Sequence, residues 1–416
     1  MGKAENIKTD KQYYKFCAYG FLKNLQFFEA FLILSLMEKG LSFTAIGVLY
    51  AVREVTTNIL EIPSGIAADV LGRKKSLAAS FIAYIISFIL FYFFSSYSLL
   101  MLAFLFYGVG EAFRSGTHKG MIAEYLRANN IKEQMVNYYG HTRAWSQRGL
   151  ALSSIAAGFI VFYSGNYNNI FLFSIFPFLV NFFLILSYPN ALDKSIAGKP
   201  ESKKTQLREV LATSWKMLKT GKTLRLINNS ALHTAYLKAM KDYIQPMMVS
   251  LVILLPLFSE KTKEQRSALL IGLIYFFIFL LTSLASQNSS RLEKSGLKNI
   301  PLVTLAAGLS AGLLSGVFYT AHLPYLAIIF FIFIYINENI RKPVLTGYVS
   351  DSVDNSVLTS VLSIQSQLKT VLTAAIAMTF GVIADFSGIG PALAVISGGF
   401  LLITIIANII SGPVKK

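Results

Sequence analysis

Tyr107, Glu111, Arg114 and His118 follow one another at intervals of four, three and four residues. On a helix that spacing gathers them on one face. The stretch that holds them, FYGVGEAFRSGTHKGMIAEYL, follows a flank, SYSLLMLAFLFYG, oily enough to sit in lipid. A charge at mid-bilayer costs about 2.5–3.5 kcal/mol even on lenient scales, and such groups persist by facing protein or a water-filled cavity. The chemistry open to such a set is to hold a charged solute and to take up and release a proton.

The pattern recurs along the chain. Lys23, Gln26 and Glu29 lie in one apolar stretch, and Arg53 stands beside a stripe of Glu54, Asn58 and Glu61 in the next. His141, Trp145 and Arg148 share a face, with Arg143 nearby. Thr234, Lys238, Lys241 and Gln245 repeat the four-three-four spacing, with His233 and Asp242 among them. Further on come Tyr335, Glu338, Arg341 and Lys342, and then Gln365 and Lys369.

Cations outnumber anions in this set. Arg114 with Glu111, Lys238 with Asp242 and Arg341 with Glu338 are the expected local pairs, leaving Lys23, Arg53, Arg148, Lys241 and Lys369 as surplus. An apolar-walled cavity bordered by surplus cations focuses field on an anion. Arg clamps a carboxylate or phosphate bidentately, and Lys acts as a point charge. The expected solute-binding set is therefore Lys23, Arg53, Arg148, Lys238, Lys241 and Lys369, with Gln26, Trp145, Gln245 and Gln365 beside them. A carboxylate desolvated in a cavity titrates nearer neutrality, and a nearby cation works against this. The expected proton-coupling set is Glu29, Glu54, Glu111, Arg114 and His118, with Glu111 foremost. A second reading stays open for His118, Lys119, His141, Arg143, His233, Arg341 and Lys342: they lie toward the ends of their stretches and can reach for lipid headgroups.

The elements that must position these residues are membrane helices. The chain has 416 residues, 54% hydrophobic and only 14% charged, where a soluble domain has about 25% charged. Its apolar residues fall in long runs such as FIAYIISFILFYFF (81–94) and LIGLIYFFIFLLTSLA (270–285). Runs of roughly 17–25 such residues cross a bilayer as helix, and the count comes to about twelve. A basic stretch over 189–221 divides them six and six. The expected organisation is a cytoplasmic tail over 1–13, a six-helix bundle over 14–188, a cytoplasmic linker over 189–221, a second bundle over 222–412 and a tail over 413–416. Within the linker, LREVLATSWKMLK has an apolar stripe suited to a helix lying on the membrane surface.

The formal net charge of +17 is explained by this topology and not by nucleic acid. Alternate loops, counted from the N-terminus, hold roughly 21 Lys and Arg against about 4 on the other side, which places both termini in the cytoplasm. The polar N-terminus reads as a retained tail and not as a signal peptide. The single cysteine, Cys17, excludes a disulfide within the chain, and no Cys-based metal site is written in the sequence.

At the second cytoplasmic turn the chain reads GIAADVLGRKKSL, from Gly65 to Leu77. This resembles the signature of the major facilitator superfamily, G-x-L-a-D-r-x-G-r-k-x-x-l, with Ala67 and Val70 as departures. The resemblance implies an all-α integral membrane fold of twelve helices in two pseudo-symmetric six-helix bundles. It also implies a conformational latch of Gly65, Asp69, Gly72, Arg73 and Lys74, met by Glu124 after span four and mirrored by Asp351 after span ten. The arginine that many proton-linked members carry ahead of the span-four glycines is replaced here by an apolar place at Phe104. The Gly-Pro-rich motif of drug antiporters is replaced by RGLALSSIAAG, which has no proline.

The reading that results is a secondary transporter of the cell membrane, working by alternating access and coupled to protons. Its solute is small and anionic or zwitterionic, such as an organic acid or phosphate ester. It works as a monomer in the lipid bilayer. No cofactor is called for beyond the ion gradient, and sodium stays open as the coupling ion. The alternative is an exporter of drugs or amphiphiles on the same fold, whose cavity would be mostly apolar with one or two acids. A membrane enzyme is set aside because no nucleophile–base pair, metal cluster or phosphate loop is present in the sequence.

Overall fold

The computed structural model describes residues 9–131, 134–193, 221–254, 260–293, 296–297, 299–352 and 355–410. Among the described residues every regular element is helical. The surface helix expected at 207–219 lies outside them.

Helix α1 (Lys11–Lys23) starts where the Asp10 carboxylate accepts the Tyr13 backbone N–H at 2.9 Å, which satisfies an orphan donor of the first turn. It stops at Asn24, whose side-chain amide donates to the Gly20 carbonyl at 2.7 Å. Regular helix resumes only at α2 (Leu32–Glu38). Span one is therefore two half-helices with Gln26 and Glu29 in the break. Helix α3 (Phe43–Leu71) is continuous through Pro63 and carries the Arg53 to Asp69 charges. Gly72, at φ +101°, turns the chain into α4 (Arg73–Phe93). Span four is again double: α5 (Tyr97–Arg114) gives way at Gly116, φ +74°, to α6 (Thr117–Ala128). Then follow α7 (Met135–Ser164) and α8 (Asn169–Leu186).

The second half repeats the scheme. Helix α9 (Gly221–Met240) is separated from α10 (Ile244–Leu254) by one 3-10 turn, Lys241–Tyr243. Span seven is thus broken as its counterpart, span one, is. Beyond it lie α11 (Lys263–Gln287), α12 (Ser289–Glu293), α13 (Ile300–Thr320), α14 (Pro324–Ser352), α15 (Asn355–Ser387) and α16 (Ile389–Ile410). Among the described residues, 8 helices are long and apolar enough to cross a membrane. The stretches expected as spans one, two, five and seven are not among those 8. Each of these four is broken or carries ionisable residues, although span four, broken at Gly116, and span ten, with Glu338 and Arg341, are among the 8.

The chain divides into two compact units. Unit one takes residues 1–32, 55–198 and 261–276, and unit two takes 33–54, 199–260 and 277–416. Each unit therefore includes a piece from the other half of the sequence. In unit one, the first part of α11 packs on α7 through facing glycines: a Cβ on Gly158 would lie 2.9 Å from the Ala268 carbonyl oxygen, and one on Gly272 would lie 2.7 Å from that of Ser154. Beside them Tyr167 and Ser267 share a hydroxyl hydrogen bond of 2.7 Å. In unit two, the first part of α3 packs on α15 in the same manner. A Cβ on Gly47 would collide with the Ala377 carbonyl oxygen. Small residues at such crossings let backbones approach closely. The Asp385 carboxylate of α15 then accepts the backbone N–H groups of Phe43 and Thr44, each at 2.8 Å, and so caps α3 from another helix.

Two outcomes follow for purified protein in detergent. Asp385→Ala lowers unfolding stability by about 0.5–2 kcal/mol through loss of the cap. Gly47→Val costs about 1–3 kcal/mol by forcing α3 off α15. Thermal unfolding reads both, and unchanged melting in Gly47→Val would refute the close crossing.

Candidate functional site

Unit one brings together the face that opened the sequence reading. Arg114 Nη2 donates to Glu111 Oε2 at 2.7 Å, and the Tyr84 hydroxyl donates to the other carboxylate oxygen. Arg114 Nε also donates to the Tyr84 hydroxyl at 3.1 Å, closing a three-membered ring of contacts between α4 and α5. Lys23, in the last turn of α1, is a further cation acting on Glu111. The half-helix end favours a cation there, because the exposed carbonyls carry partial negative charge. His118 does not reach for headgroups: it is buried, stacked on Tyr19 at 3.6 Å between ring centroids, with Nε2 3.2 Å from the Tyr188 hydroxyl. On α7, the Arg148 guanidinium lies over the Trp145 ring at 4.9 Å, and both residues are exposed. Gln26 is buried and Glu29 half-buried in the break of span one.

Unit two holds a second cluster, around the break of span seven. Glu54, buried to 3%, accepts from Arg53 Nη2 at 3.2 Å and from Lys238 Nζ at 2.5 Å. Lys238 was expected to pair with Asp242. On the curved path of a broken helix it turns to Glu54 instead, and Asp242 accepts the Tyr50 hydroxyl at 2.9 Å with Lys241 Nζ 3.9 Å away. Arg53, expected among the surplus cations, is thereby an ion-pair partner, and its guanidinium covers the Tyr50 ring at 4.8 Å. Lys369 of α15, half-buried, is a neighbouring cation that acts on Lys238. Lys238 keeps 39% of its side chain exposed while its carboxylate partner is enclosed. Gln365 is half-buried, one turn before Lys369. Gln245 stands apart from this set. It is fully buried, and its amide oxygen accepts the Ile33 backbone N–H at 3.0 Å, which ties α10 to the start of α2.

The residues expected to form a latch have partners the sequence does not suggest. Lys74 N–H donates to Asp193 Oδ1 at 2.7 Å, and Lys74 Nζ donates to the Tyr188 carbonyl at 2.9 Å and to Asn190 Oδ1 at 3.3 Å. Gly72 lies directly under that carboxylate, 2.5 Å from Asp193 Oδ1 at the place of a Cβ. The Arg73 guanidinium rests on Gly120 of α6. The turn after α8 is thus what holds the signature loop. Glu124 has Arg127 at 3.8 Å; Gly65 is exposed and Asp69 half-buried near the end of α3. The side chain of Asp351 lies outside the described residues. Among the described residues no group of His, Cys, Asp and Glu is arranged to hold a metal ion.

Sequence reasoning missed Tyr84, Tyr50, Asp193 and Asp385. Each is an ordinary residue in an ordinary stretch, and only its distant partner gives it a role.

Broken, charge-bearing helices among apolar ones are the build of a membrane carrier for polar solutes. The comparisons agree. The profile of the Major Facilitator Superfamily matches residues 16–378, and the chain belongs to that superfamily. It is 25% identical over 393 residues to the uncharacterized MFS-type transporter YxaM of Bacillus subtilis (strain 168), covering 93% of this chain and 92% of that one. Its fold is similar to that of the nucleoside transporter NupG, with a TM-score of 0.74 at 15% identity over 96% of this chain and 98% of the other. It is also similar to a D-xylose-proton symporter, with a TM-score of 0.65 at 14% identity over 94% and 96%. A POT family transporter in complex with 5-aminolevulinic acid matches with a TM-score of 0.65 at 13% identity over 96% of both chains. The protein is accordingly a multi-pass membrane transporter for a small-molecule solute, and not an enzyme.

Tyr84→Phe removes one donor from the Glu111 carboxylate and lowers stability by about 1.5–3 kcal/mol, as for other hydrogen bonds to charged groups. Chemical denaturation in detergent measures it, and a loss below a few tenths of a kcal/mol would show the ring to be slack.

Proposed function

We propose that the protein carries a small anionic or zwitterionic solute by alternating access, with protons as the coupling ion, in the cell membrane with both termini cytoplasmic. The observation that supports this best is the cluster at the break of span seven. Arg53 and Lys238 both pair with the enclosed Glu54 there, Lys241 lies near Asp242, and Lys369 is a further cation acting on Lys238. A solute carboxylate or phosphate is matched in charge by such a group of cations. Lys238 is suited to exchange its partner, since Glu54 keeps Arg53 when the partly exposed Lys238 side chain turns to a ligand. A zwitterion fits as well, its ammonium replacing Lys238 at Glu54. That 5-aminolevulinic acid, an amino acid, is bound by a transporter of similar fold is in keeping with this. Lys23 and Arg148 with Trp145 are proposed as the corresponding cations of the first half, and Gln26 and Gln365 as polar neighbours. An exporter of lipophilic cations calls for an acid open to the cation, and Glu54 is already paired with Arg53 and Lys238.

The test is a thermal-shift screen of the purified protein. Carboxylates, amino acids and phosphate esters at about a hundred times their Kd should stabilise it by about 2.7 kcal/mol, and lipophilic cations should not. Lys238→Gln should keep the fold and lose that shift. Stabilisation by lipophilic cations alone would overturn the reading.

A further inference from the structure

A second set of charges in unit two is not used by the reading above. His233 of α9 and Arg341 of α14 have no exposed surface, and Glu338 of α14 has 5%. Two of these, on the sequence, were free to reach for headgroups; instead helices enclose them. His233 Nδ1 stands 2.7 Å from Glu338 Oε2, and the Thr234 hydroxyl donates to Oε1 at 2.5 Å. The Asn337 amide nitrogen has two near acceptors: the Thr304 carbonyl of α13 at 2.8 Å and His233 Nε2 at 2.9 Å. The carbonyl fixes which end of the amide points there, because an amide oxygen would meet it lone pair to lone pair. An amide nitrogen only donates, so Nε2 is the bare nitrogen and Nδ1 carries the proton. The imidazole is neutral, in one tautomer, and aimed at a carboxylate.

Arg341 is held beside this pair without closing on it. Nε donates to the Thr304 hydroxyl at 3.1 Å and Nη2 to the Asn229 carbonyl at 2.7 Å and the Pro301 carbonyl at 3.3 Å. Nη1 is buried, 3.7 Å from Glu338 Oε2, and makes no hydrogen bond. Gly308 leaves the room for the ring: a Cβ there would overlap His233 Nε2. Among the described residues, the charged groups facing the imidazole are Glu338 and Arg341. Helix α13 brings only Thr304 and Gly308, α9 itself brings Tyr236, whose hydroxyl is spent on Ser397, and Lys369 of α15 faces Lys238 instead.

We propose that His233, backed by Glu338, is a proton-binding site whose occupancy switches Asn337. A proton arriving at Nε2 turns it into a donor facing the Asn337 donor, so the amide must rotate and give up its bond to Thr304. Proton binding thereby loosens the tie between α13 and α14, a discrete two-state event of the kind that couples an ion to helix movement. The coupling step rests on the transporter reading, but the proton site does not.

The protein has four histidines, so nitrogen-15 labelling of histidine gives a spectrum assignable by loss of one signal set in His233→Gln. In wild-type protein in nanodiscs, His233 should be neutral with the proton on Nδ1 at high pH and should gain a second proton as the pH is lowered. In Asn337→Leu, which removes the opposing donor, the midpoint should lie about one pH unit higher. A ring that stays neutral in both proteins down to the pH at which they unfold overturns the site. A midpoint unmoved by Asn337→Leu overturns the switch. Neither result bears on the anion screen, whose failure would be seen with the histidine titration intact.

Discussion

Charge inside a membrane helix is tolerated only when something next to it supplies the opposite charge or the missing hydrogen bonds. Most of what distinguishes this chain from a plain bundle of oily helices follows from that constraint. Glu111 is enclosed by Arg114 and Tyr84, Glu54 by Arg53 and Lys238, Asp242 by Tyr50. In each case a helix is fixed in rotation, because turning it away would leave a desolvated ion.

The same constraint shapes the backbone. Spans one and seven break at Asn24 and at Lys241, and in both a lysine stands at the end of the preceding half-helix. The open carbonyls of such an end suit a cation. The free N–H groups that resume the helix need acceptors, and Gln245 supplies one to Ile33. Asp385 performs the corresponding service for α3, and Asp193 for α4. Distant carboxylates and amides thus complete helix starts, in α3 alongside the local Ser42 hydroxyl that accepts the Ala45 N–H.

Selectivity and coupling call for different kinds of charge. The cluster at Lys238 has a partly exposed cation beside an enclosed acid, which the proposed exchange with a solute requires. The set at His233 has no exposed member among its ring, carboxylate and guanidinium. The proposed proton is an ion small enough to reach such enclosed atoms, and the tautomer of the ring is dictated by neighbours on two other helices, α13 and α14.

The sequence by itself determined the class, the number of charged stretches and the superfamily, because hydrophobic runs and a local signature such as GIAADVLGRKKSL are written in contiguous residues. It also gave the pair of Arg114 with Glu111, since three residues on a helix is one turn. It could not give Lys238 to Glu54, 184 positions apart, nor Asp193 to Lys74, 119 apart. Helical spacing ranks partners only within one unbroken helix, and the break at Lys241 ended that rule where the expected stripe ran from Lys238 to Gln245. Which cation meets which acid, and whether His233 and Arg341 face lipid or protein, was decided by the packing of helices from remote parts of the chain. Burial and pairing are properties of neighbours in space, and one-dimensional spacing does not contain them.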